Sequence, residues 1–138
     1  MSDRLEMSLE LEQVFRNILR QLRRDLAEIW GDAINGAEFG VLNQLQQKSP
    51  QIVTALAQEF GVSVSHITHV ADQLEKKNLA YRKRSKLDKR VVELHISELG
   101  KKTIEELSHK KSEYFRRKFE KLTTQEIETL LTLLQKIS

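Results

Sequence analysis

Eight lysines and arginines but only one acidic residue, Asp88, fall between Lys76 and Arg90. This stretch carries a formal +7 in a chain whose total is +3, so the remainder sums to −4. Just ahead of it stand Ser63, Ser65, His66, Thr68 and His69, short polar side chains able to hydrogen-bond a base edge or a phosphate. Cations concentrated beside such a set are the electrostatic footprint of a duplex-binding surface. Bond-making chemistry finds no comparable set. The sequence holds no glycine-rich phosphate loop, no His-Glu-x-x-His, and no serine or carboxylate beside an obvious base, so no enzyme and no cofactor is expected. The four histidines leave a second reading open. His66 and His69, three apart, could share a metal, with His95 and His109 elsewhere, which would suit a metal-responsive regulator. No third ligand follows by spacing, and surface histidines near DNA is the preferred reading. A module used purely for protein contacts is the third, although such a module has no need of the concentrated charge.

Setting polar side chains against a duplex takes two short helices crossing steeply. Ala57 supplies the small side chain where their backbones approach, Gly61 the left-handed turn, and Ile67 an anchor for the second helix. Leu56, Phe60, Val62, Val70 and Leu74 are expected to fill the interior, with Thr54 capping the first helix and Ser63 the second. On a helix through Ser65 to Lys77, Ile67, Val70, Ala71 and Leu74 share one face, and Ser65, Thr68, His69, Asp72 and Lys76 lie opposite. Phosphate would repel Asp72, which is therefore expected to partner a nearby cation. Leu79 to Arg84 and Val91 to Ile96 read as strands, joined by the charged loop Ser85 to Arg90, which lacks Gly and Pro. Arg82, Lys83, Arg84, Lys86 and Lys89 are expected to contact phosphate rather than read sequence, and two or more of them need touch nothing.

Long helices flank this centre. Leu11, Phe15, Ile18, Leu22, Leu26 and Ile29 recur at three- and four-residue steps on a helix ending near Trp30, and Glu38 to Gln47 reads as a short second helix. Ser97 can cap a helix carrying Ile104, Leu107, Tyr114, Phe115, Phe119 and Leu122. Thr123 to Glu126 has the capping-box form and opens a last helix with Ile127, Leu130, Leu131, Leu134 and Ile137. These stripes exceed what a small core can cover, so a two-fold homodimer is expected, with folding back onto the domain as the alternative. At 138 residues and 39% hydrophobic the chain fits one ordinary domain. No apolar run is long enough to span a membrane and Met1 to Glu6 lacks signal-peptide order, so a cytoplasmic location is expected. With no cysteine, disulfides and thiolate metal sites are excluded.

The order of elements, the Ala-x-x-x-Gly turn, the Leu74-Glu75-Lys76-Lys77-Asn78-Leu79 exit and the wing residues Asp88-Lys89-Arg90 together resemble the MarR family of bacterial transcriptional regulators over nearly the whole chain. The family's recognition-helix pattern Ser-x-Val-Thr-Arg-x-Val-Asp-x-Leu-Glu is met by Ser65, Ile67, Thr68, Val70, Asp72, Leu74 and Glu75. His69 departs from it where Arg is common, and Asn78 stands where Gly is usual, a mild change because Asn tolerates a left-handed helix end. The resemblance implies a mainly α fold with a small β-hairpin wing. Residues 1–34 and 98–138 would be dimerisation helices and 35–97 the winged helix-turn-helix lobe, all within one domain 1–138. It implies Arg90 in the minor groove with Asp88 orienting it, and a repressor that leaves an inverted-repeat operator when a small-molecule effector binds. Trp30, Ile34 and Phe39 lie where the effector pocket would be lined, although core packing suits each of them better.

Overall fold

The computed structural model describes residues 2–138, which form two compact units, one running to Glu105 and the other from Glu106 to Ser138. In the first unit α1 (Ser2–Trp30) is followed by α2 (Gly36–Gln47), β1 (Gln51–Ile52), α3 (Val53–Phe60), α4 (Val64–Lys76), β2 (Ala80–Arg84) and β3 (Val92–Ile96). The helix α5 (Glu98–Lys118) begins in this unit and continues into the second. The three strands form an antiparallel sheet in the order β1-β3-β2, with Arg82 opposite Leu94 and Gln51 opposite Leu94 on the other side. The short β1 was not expected; two residues are too few to show a period.

Local rules explain most boundaries. The Asn35 side chain accepts from the Glu38 N–H and the Glu38 carboxylate accepts from the Asn35 N–H, both at 2.8 Å, a capping box that starts α2 two residues earlier than the apolar pattern indicates. Gly61 ends α3 in the left-handed region at φ 63°, and Asn78 takes the same conformation after α4 at φ 61°. Thr54 does not cap α3. That helix begins at Val53 behind Ile52, with no side-chain cap, which leaves Thr54 inside the first turn.

Leu42 and Leu45 from α2, Leu56 from α3, Ile67 and Leu74 from α4 and Leu94 from β3 are all exposed by 1% or less. Truncating one of these leucines to alanine costs about 2–5 kcal/mol, so this cluster is what fixes α4. Phe60 and Val62 are not part of it: they remain 39% and 38% exposed, because the αL turn at Gly61 carries them to the rim of the core. The first turn of α5 is fastened to the corner before β2. Ser97 Oγ donates to the Asn78 carbonyl at 2.7 Å and accepts from the Gly100 N–H at 2.9 Å, while the Ser97 N–H donates to the Leu79 carbonyl at 3.1 Å. Gly100 sits so close to that corner that a Cβ there would lie 2.0 Å from the Leu79 oxygen.

The second unit holds the rest of α5, a 3₁₀ turn (Phe119–Lys121) and α6 (Thr124–Ile137). Thr123 and Glu126 make the expected capping box, at 3.1 and 2.9 Å. Phe115 packs edge-on to Tyr114 and parallel to Phe119, with ring centres 5.2 and 5.9 Å apart. No helix among the described residues is long and apolar enough to cross a membrane.

Candidate nucleic-acid interface

The N-terminal half of α4 is fixed by its cap and by its buried face. Ser63 Oγ accepts from the His66 N–H at 3.1 Å and lies 3.2 Å from Ser65 Oγ, fixing the first turn. Ile67, Val70, Ala71 and Leu74 are buried beneath, which leaves Ser65, His66 and His69 exposed and Thr68 half-buried. The Thr68 hydroxyl donates to the Val64 carbonyl at 3.0 Å and keeps its lone pairs for a ligand.

The wing loop turns without glycine because side chains close it. Buried Ser85 accepts at Oγ from the N–H groups of Leu87 and Asp88, at 3.2 and 3.4 Å, and its own N–H donates to the Val91 carbonyl at 2.9 Å. Arg84 Nη1 donates across the loop to the Lys89 carbonyl at 2.8 Å. Asp88 Oδ1 accepts from the Arg90 N–H and Nε at 3.1 and 3.2 Å, and Oδ2 accepts from Nη2 at 3.3 Å. The Arg90 side chain and backbone thereby hold the Asp88 carboxyl below the ordinary aspartate pKa. The Arg90 side chain is 91% exposed, so a carboxylate orients the guanidinium while solvent surrounds it. Lys83, Lys86 and Lys89 are exposed along the same hairpin.

Arg82 differs from its neighbours. Its Nη2 donates to Asp72 Oδ1 and its Nε to Glu75 Oε1, the latter at 2.6 Å, so two carboxylates one helical turn apart on α4 take both sides of the guanidinium. Burial alone would lower its pKa, but these two partners outweigh that and raise it. Asp72 has the cation partner expected of it. Arg82 is therefore an ion-paired cation, and nothing along the sequence signals it, because the partners it meets are ten and seven residues back, on another element. Lys77 is likewise engaged: its Nζ donates to the buried Glu38 at 2.7 Å, tying the end of α4 to the start of α2.

Helix and wing border one cleft of about 550 Å³, with Thr54, Val64 and Thr68 on one wall and Lys83, Arg84 and Arg90 on the other. Thr54, expected as a cap, lines this cleft instead. Sequence order carries no signal for that role. His66 lies on the opposite flank of α4, bordering a depression of about 310 Å³ with Gly36, Gly40, Phe60 and Val62. His95 is on β3, where it stacks on Tyr81 at 5.0 Å with its Nε2 3.3 Å from Glu93 Oε1. Among the described residues no group of three or more His, Asp or Glu could hold a metal ion. Trp30, Ile34 and Phe39 are buried, with the Trp30 and Phe39 rings stacked at 4.4 Å.

The MarR family model matches residues 34–92. The uncharacterized HTH-type transcriptional regulator YpoP of Bacillus subtilis (strain 168) is 36% identical over 137 residues, 99% of this chain and 97% of that protein. This chain belongs to the MarR family. It is a winged-helix, DNA-binding transcriptional regulator. The solved structure of a MarR family protein from Bacillus stearothermophilus superposes with a TM-score of 0.80 at 26% identity, covering 96% of this chain and 93% of that one. The HTH-type transcriptional repressor MdtR of Bacillus subtilis (strain 168) is 28% identical over 102 residues, 74% of this chain and 64% of that protein. Within this MarR-family frame α4 is the second helix of the helix-turn-helix and β2–β3 the wing hairpin.

Proposed function

We propose that two copies of this regulator bind an inverted-repeat operator in double-stranded DNA and repress the genes beside it until a small-molecule effector lowers the affinity. The observation that carries the reading is the pairing of an exposed polar face at the start of α4 with a wing whose Arg90 is extended into solvent and aimed by Asp88. Ser65, Thr68 and His69 face base edges in the major groove, Arg90 enters the minor groove, and Lys83, Arg84, Lys86 and Lys89 lie along phosphates. His66 contacts the backbone at the helix N-terminus while Ser63 acts through the cap. The relative MdtR, a repressor by name, supports negative control.

The apolar stripes support a homodimer. On α1, Leu5, Leu9, Leu11, Phe15 and Ile18 are exposed, and on α6 Leu130, Leu131, Leu133, Leu134 and Ile137 are exposed, the last by 70%. Such contiguous apolar surface suits a protein partner, and a second copy brings a second recognition helix to the next turn of the duplex. An effector lowers DNA affinity only by preferring a spacing of the two recognition helices that the operator does not accept. Trp30, Ile34 and Phe39 pack the core, and Trp30 Nε1, buried without a hydrogen-bond partner, is the one group there with a reason to meet a polar ligand atom.

Removal of Thr124–Ser138 tests the assembly. The 138-residue chain is expected to sediment as a dimer, with operator affinity falling with salt at a log-log slope near −5, as about six neutralised phosphates require. The shortened chain sediments as a monomer and binds a half-site with a shallower slope. A shortened chain that stays dimeric with undiminished operator affinity would contradict the arrangement.

A further inference from the structure

Five cations of the hairpin point away from the protein or hold its loop, and one points back. Asp72 and Glu75 are separated by three residues, so both project from the same side of α4. Arg82 stands opposite Leu94 on β2, the outer strand of the sheet, and its guanidinium reaches between the two carboxylates. Glu75 does more than accept the side chain: its Oε2 also accepts the Arg82 backbone N–H at 3.4 Å, filling the free edge of β2. One arginine therefore joins the recognition helix to the wing by both side chain and backbone. The same side chain borders the cleft beside Thr68 and Arg90, so a change in its grip changes the distance between the two DNA-facing walls.

We propose that Arg82 is a positioning residue for DNA recognition, gripped by Asp72 and Glu75 so as to set the angle between recognition helix and wing, and that it does not bind phosphate. Planar geometry matters here. A guanidinium offers N–H groups on separate nitrogens to two carboxylates in fixed directions, whereas an ammonium carries all its donors on one freely rotating nitrogen and fixes no angle between them. Loss of the grip lets the wing swing relative to α4, and a bound operator then has to select one orientation among several, which lowers specific affinity. Unrelated DNA, held by charge alone, is indifferent to that angle. The inference rests on the DNA-binding dimer proposed above.

The two roles give opposite results in Arg82→Lys, Arg82→Gln, Asp72→Asn and Glu75→Gln, measured by titrating the selected operator duplex and an unrelated duplex at several salt concentrations. As a positioning residue, Arg82→Lys fails to rescue: it and Arg82→Gln each weaken operator binding about tenfold, the scale of a lost charge-assisted hydrogen bond. Their binding to unrelated duplex and their salt slopes stay near wild type. Asp72→Asn and Glu75→Gln weaken operator binding although each makes the protein more positive. In free protein, amide hydrogen exchange speeds up across β2 and β3 in all four variants and stays unchanged in α3, which also reports that the helical core is intact. Operator affinity restored by Arg82→Lys, together with a slope reduced by about one in Arg82→Gln, would make Arg82 a phosphate contact and overturn the proposal. Tighter operator binding by Asp72→Asn would overturn it too. The exchange measurement needs no DNA, so unchanged exchange refutes the grip itself, whereas faster exchange in a protein that selects no duplex would refute the DNA reading and leave the grip standing.

Discussion

Arg90 and Arg82 are eight residues apart on one hairpin and have opposite surroundings: one is held by a single carboxylate and open to solvent, the other is half-buried between two. Formal charge does not distinguish them. The local pair was legible because Asp88 and Arg90 are two residues apart and match a family motif; the contacts of Arg82 and Lys77 were not, because they span seven, ten and thirty-nine residues and depend on how elements pack. Arg90→Ala is expected to weaken operator binding by roughly 1–3 kcal/mol, the usual scale for one good groove contact, with its thermal unfolding midpoint unchanged; fluorescence anisotropy beside calorimetry measures both. Asp88 titrates below the ordinary aspartate range because Arg90 stabilises its charged form. A depressed pKa keeps the Asp88–Arg90 contact present at and above the usual aspartate value, and it is lost only as pH falls through the lower folded value. A carbon-13 titration of the Asp88 carboxyl in wild type and Arg90→Ala checks this, with the midpoint rising in the variant.

Element boundaries follow local chemistry, and most were legible for that reason. Caps at Ser63, Ser97 and Thr123, left-handed ends at Gly61 and Asn78, and the alternation that buries Leu94 and Ile96 all act within a few residues. The two-residue β1 and the cleft wall at Thr54 escaped because they lie beyond that range, whereas the Asn35–Glu38 box, as local as the one at Thr123, was missed because it stands two residues ahead of the apolar pattern that marks α2. The exposure of Phe60 and Val62 escaped as well, since an apolar pattern marks them as interior while the turn geometry carries them out. The junction between wing and α5 sets a strict limit of its own. A methyl group at position 100 would meet the Leu79 carbonyl at 2.0 Å, and backbone cannot rotate away as a side chain can. Gly100→Ala is therefore expected to destabilise the fold by about 1–3 kcal/mol, the range for overpacking a tight site, read as a lower urea midpoint with an unchanged denaturant slope. The same substitution at exposed, open Gly31 or Gly61 meets no atom within 4 Å, and strain there comes only from the positive φ of 57° or 63°.

At the scale of the whole molecule, charge and apolar surface are segregated along the sequence. The hairpin between α4 and α5 holds the basic excess, while α1 and α6 carry exposed leucine and isoleucine that a lone chain leaves in water. In the proposed two-fold dimer the first would face phosphate and the second the other copy. The most direct measurement is selection of bound duplexes from a random library by the wild-type protein. Enrichment of an inverted repeat whose half-site centres lie about 10 base pairs apart is the expected result, with the symmetry lost in protein lacking Thr124–Ser138. Recovery of no enriched sequence, with binding that depends on salt alone, would contradict a sequence-reading role for α4 and the wing.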